Sequence, residues 1–199
     1  MLALGALSKR RGNWTTHLDI GRKVVAACYE AYERSSTGLG SEHIYLATLE
    51  AVDRESYYLR PELVESIFYM WRFTHDPIYR VWGWNIAQSI ERQCRDSVGF
   101  HGLISSNEFN DRQESYFLAE TLKYLYLLFS ADDLVPLDKY VFNTEGHPFS
   151  IRGHGPRTDM RPNHLSIEYS DAMIAKGEKS VNGANQWMDT VIQGALRDG

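Results

Sequence analysis

The chain has only two cysteines and six prolines, carries no surplus of basic charge, and contains no long apolar run. Each shortage excludes something. Two cysteines, Cys28 and Cys94, permit at most one disulfide, so no disulfide framework holds the fold, and their helical surroundings predict two buried free thiols. Twenty-six acidic against twenty-one basic residues give a net charge of -5, and no run of Lys and Arg interleaves with aromatics, which argues against nucleic acid as a partner. The longest apolar stretches, such as residues 124–129, fall far short of the ~20 residues that a membrane-spanning helix needs, so the chain shows no membrane segment. Residues 1–7 are too short, and lack the basic start, to read as a signal peptide. The seven histidines show no His-Glu-x-x-His spacing, and no Gly-x-Ser-x-Gly elbow or Gly-rich phosphate loop is present. Zinc hydrolysis, serine acyl transfer and nucleotide binding therefore have no sequence support.

What is present is a globular composition, 43% hydrophobic and 13% aromatic, in a chain long enough for one domain with a tail. Ile20, Val24, Ala27, Cys28 and Ala31 recur at helical spacing, which predicts a helix from residue 16 to about 34 with that face buried. Pro61 opens a second, largely buried helix to about residue 73. Asp76-Pro77 opens a third, whose apolar stripe is Tyr79, Gly83, Ile86, Ile90 and Cys94. Residues 99–110 read as a loop, followed by Asp111-Arg112-Gln113-Glu114, a capping box for a fourth helix to about residue 129. Tyr140-Val141-Phe142 is a short strand closed by a turn over residues 143–148. The class is all-α, and the alternation of buried and half-exposed helices suits a layered helical barrel and a plain bundle alike. Residues 150–199, polar and punctuated by Gly and Pro, read as a weakly ordered tail.

Against this apolar background, Glu62, Glu65, Glu120 and Glu145 stand out. An ionised carboxylate buried without a partner loses several kcal/mol of hydration, as an order of magnitude, so converging glutamates point to a metal, to acid-base chemistry, or to both. Glu62 and Glu65 share a polar strip with Ser66 and Tyr69, facing either a polar cavity or solvent. Glu120, with Tyr116 at i-4 and Lys123 at i+3, reads as a ligand beside an aromatic platform or as half of a surface ion pair. Thr144 and Glu145 precede Gly146-His147-Pro148, a tight turn that exposes hydroxyl, carbonyl and carboxylate oxygens, hard donors that suit calcium better than zinc.

Three phrases then resemble one family in order: Leu59-Arg60-Pro61-Glu62-x-x-Glu65-Ser66, the run at residues 114–129 around Tyr116 and Glu120, and Tyr140 through Pro148. With Leu2-Ala3-Leu4-Gly5-Ala6 and the segment at residues 37–42, the chain over roughly residues 1–149 resembles the class I alpha-1,2-mannosidases, glycoside hydrolase family 47. The resemblance implies a partial (αα)7 barrel with a short C-terminal β-hairpin plug, residues 1–149 being the C-terminal portion of the catalytic domain. It implies calcium-dependent, inverting removal of alpha-1,2-linked mannose from high-mannose N-glycans on glycoproteins, in the endoplasmic reticulum or Golgi or after secretion. Glu62 would be the catalytic base. Arg60, Glu65, Tyr116, Glu120 and Glu42 would contact the sugar or its surroundings, and Thr144 would bind calcium with Glu145 acting through water. The family's general acid lies before the Leu-Ala-Leu-Gly-Ala phrase, as does the usual disulfide partner of the cysteine matching Cys28, so both are expected to be absent here. A non-catalytic module for binding mannose glycans or for glycoprotein quality control is the alternative reading.

Overall fold

Four helices and two small hairpins make up the computed structural model, which describes residues 14–151, with side chains from residue 17. The Leu-Ala-Leu-Gly-Ala phrase and nearly all of the expected tail lie outside the described residues. Helix α1 runs Trp14–Arg34, α2 Glu62–Thr74 and α3 Ile78–Gln93; a π-helical turn, Phe117–Leu122, leads directly into α4, Lys123–Phe129. Strands β1, Leu103–Ser105, and β2, Glu108–Phe109, pair antiparallel, as do β3, Tyr140–Phe142, and β4, Pro148–Ser150. The hairpin β1–β2 replaces the loop expected over residues 99–110. Its pairing is only a few residues long, and Leu103 is fixed from outside by a two-way bridge to Tyr57, at 2.6 and 2.9 Å.

Helix α2 is the hub, packing against α1, α3, α4 and the π turn. Val64, Ile67, Phe68 and Met70 are fully enclosed, and full burial of each such side chain contributes about 1.5–3 kcal/mol. Phe142 of β3 comes down onto Phe68, Tyr69 and Tyr124 with ring centroids 5.5–6.4 Å apart, which seats the β3–β4 hairpin on α2 and α4. Helices α3 and α4 meet closely at Gly83, where a Cβ would stand 2.2 Å from Leu128 Cδ2. The expected stripe of α3 is the buried one: Tyr79, Gly83, Ile86, Ile90 and Cys94 all face inward.

On α1 the helix is where the periodicity put it, and Ala31 of the expected stripe is buried, but most of the buried face is different. Leu18, Gly21, Val25 and Tyr29 pack on the core, while Ile20 and Val24 are 40% and 49% exposed and Cys28 is exposed rather than buried. The helix carries two apolar stripes, and periodicity cannot rank them when both have helical spacing. Both cysteines are free thiols, Cys94 the buried one.

The capping box does not form. Asp111 sits in the left-handed region at φ 50°, and the amide oxygen of Gln113 is engaged by the Phe100 N–H at 3.1 Å. The helical run opens instead on a local backbone bond, the Phe117 N–H donating to the Glu114 carbonyl. Asp76 caps α3 as expected, its carboxylate accepting the Ile78 N–H at 3.1 Å.

Beyond α4 the chain turns under two arginines. The buried Arg72 guanidinium donates to the carbonyls of Leu127, Ala131, Asp132 and Leu134. Arg80 stacks 3.9 Å over the Trp71 ring and donates to the Leu128 and Ser130 carbonyls. Together they satisfy backbone oxygens left without partners by the helix end.

Candidate functional site

The site is built where the start of α2, the π turn and the β3–β4 hairpin converge. Its first part is a shelf of Glu42, Arg60 and Tyr116. Glu42 is nearly buried, and its carboxylate accepts from Arg60 Nε and from the Tyr58 N–H, both at 2.9 Å. This contact is the main reason the guanidinium titrates above its ordinary value. Arg60 also lies 5.4 Å over the Tyr116 ring. Burial, offset in part by Arg60, pushes the Tyr116 hydroxyl up to about 12, so it is a neutral donor at physiological pH.

The second part is the carboxylate cluster. Glu62 and Glu65 occupy the first turn of α2, where the helix dipole favours negative charge. Glu65 is half-buried, and Tyr124 Oη donates to it at 3.3 Å. Its carboxyl is raised above the ordinary 4.5, by burial first and by Glu62 after that. Glu120 is 7% exposed and is also raised, by burial and then by Glu145, Glu65 and Glu62 in that order, with Lys123 offsetting this only in part. The surface ion pair allowed by the Glu120–Lys123 spacing is not what forms: Lys123 Nζ donates to the Gly146 carbonyl at 2.7 Å.

Of the four glutamates only Glu120 is buried; Glu62 and Glu145 are exposed and Glu65 is intermediate. The desolvation expected for all four thus falls on Glu120 and, in part, on Glu65. The others lie along the open edge of the same cluster, close enough to raise its proton affinity.

The hairpin delivers Thr144 and Glu145. Asn143, which the sequence did not single out, holds this turn: its side-chain oxygen accepts the N–H groups of Glu145 and His147 at 3.0 and 2.8 Å. Gly146 has φ 67°, and a Cβ there would meet Glu120 Cγ at 3.0 Å and the Ala119 carbonyl at 3.1 Å. Only glycine allows the turn to lie this close to the π turn. The signal was in the sequence, since Asn two residues before Glu145 is an Asx-turn pattern. Thr144, two residues before Gly146, is exposed. Among the described residues, no group of three or more His, Cys, Asp or Glu side chains is placed to hold a metal ion by itself.

A cavity of 570 Å³ opens beside Glu62 and Arg60, walled by Val24, Cys28 and Tyr32 and by Glu42 and His43. The outward apolar stripe of α1 is one wall of it. Glu42, Arg60 and Glu62 therefore belong both to the site and to the cavity wall.

These parts bring carboxylates, an arginine and an aromatic ring to neighbouring positions, residue types that sugar-binding and glycosidase sites use. The profile of Glycosyl hydrolase family 47 matches residues 1–151, and the chain belongs to that family. It is 49% identical over 160 residues to mannosyl-oligosaccharide 1,2-alpha-mannosidase IB of Mus musculus, a match covering 76% of this chain and 25% of the relative. Over 155 residues it is 41% identical to mannosyl-oligosaccharide 1,2-alpha-mannosidase MNS1 of Arabidopsis thaliana, covering 76% and 28%. Among solved structures, the alpha-1,2-mannosidase from Trichoderma reesei matches with a TM-score of 0.62 at 29% identity, over 70% of this chain and 35% of that one. The chain thus spans about a quarter of the length of these curated relatives.

Proposed function

We propose that this chain carries the base and calcium side of an inverting alpha-1,2-mannosidase site, acting on high-mannose N-glycans in the secretory pathway. The observation that carries this reading is the raised, nearly buried Glu120 facing Glu145, Glu65 and Glu62, an acidic cluster whose charge Lys123 only partly offsets. Calcium suits that cluster by donor chemistry, because its carboxylates and the Thr144 hydroxyl are hard oxygen donors and Lys123 offsets their charge only in part. Thr144 would hold it directly, with Glu145, Glu120 and Glu65 acting through its water shell. Bound there, calcium would supply a fixed positive charge that orients sugar hydroxyls.

The remaining steps belong to this chain's residues. Arg60, braced by Glu42 and the Tyr116 ring, would position the mannose. Glu62, on the exposed first turn of α2, would take the proton from the attacking water. Inversion needs a second carboxyl group about 6.5–9.5 Å away to protonate the leaving oxygen. That general acid is assigned to a part of the family domain that this chain does not match. The four helices would then form part of an (αα)7 barrel, with the β3–β4 hairpin as its plug and residues 1–149 as the C-terminal portion.

Calcium calorimetry on the 199-residue chain tests the reading. The expected result is saturable binding that disappears in Thr144→Val, with no release of mannose from Man-alpha-1,2-Man by the chain alone. Identical titrations for the two proteins would remove Thr144 from the site. Disaccharide binding without turnover, even when the rest of the domain is supplied, would favour the non-catalytic glycan-binding alternative.

A further inference from the structure

The segment that presents Arg60 and Glu62 makes no regular backbone ladder, yet it is tightly held. Leu59, fully buried, has φ 59°, a left-handed conformation that costs an ordinary L-residue free energy and persists only where its surroundings impose it. Three successive carbonyls of this turn are satisfied by side-chain hydroxyls. The Tyr58 carbonyl accepts from Tyr116 Oη at 2.7 Å, Leu59 from Thr121 Oγ1 at 2.7 Å, and Arg60 from Tyr57 Oη at 3.3 Å. Two of those donors come from the helical run that contains the π turn. Thr121 is itself fully buried, so its bond to Leu59 has no water to replace it.

Thr121 follows Glu120 directly, and both lie within the π turn, Phe117–Leu122. A π turn takes one more residue per hydrogen-bonded loop than an α turn and recurs at functional sites. Here it turns two consecutive side chains inward to different ends of the site: Glu120 toward the hairpin, Thr121 toward Leu59. The threonine hydroxyl is the buried link between the cluster around Glu120 and the shelf that carries Arg60.

We propose that Thr121 is a positioning residue, whose hydroxyl holds Leu59 in its left-handed turn and thereby fixes Arg60 and Glu62 against the carboxylate cluster. The inference rests on the mannoside-site reading for its functional consequence, but its structural part is independent of that reading. Thr121→Val keeps the shape and removes the donor, while Thr121→Ser keeps the donor.

The experiment uses the full chain with calcium chloride and Man-alpha-1,2-Man, read by calorimetry, together with amide hydrogen exchange. In Thr121→Val, exchange is expected to accelerate at least ~10-fold at Tyr58 and Glu65, whose N–H groups bond to Glu42 and to the Pro61 carbonyl, with α3 unchanged. Disaccharide affinity should fall ~10-fold while calcium affinity stays within about twofold, and Thr121→Ser should restore both readouts. Parallel acceleration throughout α3, with both affinities falling together, would overturn the proposal by making Thr121 a general packing residue. Unchanged exchange at Tyr58 and Glu65 would overturn it as well. If the unaltered chain binds no disaccharide, the mannoside-site reading fails; exchange confined to Tyr58 and Glu65 would still uphold the positioning role, and its absence would sink it.

Discussion

Two regions of this small fold bury charge, and they do so in opposite ways. Below α4, the Arg72 guanidinium is enclosed among four carbonyls that accept from its two terminal nitrogens, while Nε has the Asp132 carboxylate at 3.5 Å. Beside the β3–β4 hairpin, Glu120 is enclosed with three other carboxylates as neighbours, and each raises its affinity for a proton. The first arrangement is what a structural charge looks like. The second retains unfavourable electrostatics in the folded protein, as functional sites do when they are built for a ligand.

The largest test of this contrast is Arg72→Ala. It leaves the buried Leu127 carbonyl and three part-buried carbonyls without this donor, and a loss of about 3–5 kcal/mol is expected in urea unfolding. A loss below ~1 kcal/mol would mean that water takes over the bonds and that the guanidinium is not structural. Next comes Asn143→Ala in the exposed turn, expected to cost only about 0.5–1.5 kcal/mol while weakening calcium binding. Calorimetry and thermal unfolding of the same sample separate the two effects.

The smallest effect on stability, and one of opposite sign, belongs to Glu120→Gln. Glu65 and Glu120 have folded-state values above the ordinary 4.5, so just above that pH the folded form keeps protons that the unfolded form has released. Stability from this pair therefore falls as pH rises through that window. Without calcium, unfolding midpoints should decline from about pH 4.5 upward, with a shallower decline in Glu120→Gln, and added calcium should remove most of the slope. A variant less stable than the parent at neutral pH would show that the Glu120 charge is already compensated in the protein alone.

Much of the fold was legible because its signals are local. Pro61 and Asp76-Pro77 mark the starts of α2 and α3, the stripe of α3 has one apolar face, and the phrase from Tyr140 to Pro148 alternates and then turns as a hairpin should. Where two local signals competed, the sequence could not arbitrate. On α1 the stripe through Ile20 and Val24 and the stripe through Leu18 and Val25 are both helical, and only packing against α2 chose between them. Asp111 to Glu114 has the letters of a capping box, but Asp111 is held in a left-handed turn rather than the extended backbone of an N-cap. The π turn left no readable mark, because its sequence is ordinary helix former until tertiary contacts impose the extra residue.

The sequence by itself determined the family, the helices, the hairpin and the identity of the acidic and hydroxyl groups, since these follow from residue order and short-range spacing. Only the tertiary structure decided that Glu120 is the most enclosed of the four glutamates, that Lys123 turns to Gly146, and that Thr121 reaches Leu59. Each of those outcomes joins residues far apart in the chain, and which polar groups lose water together depends on the assembled packing.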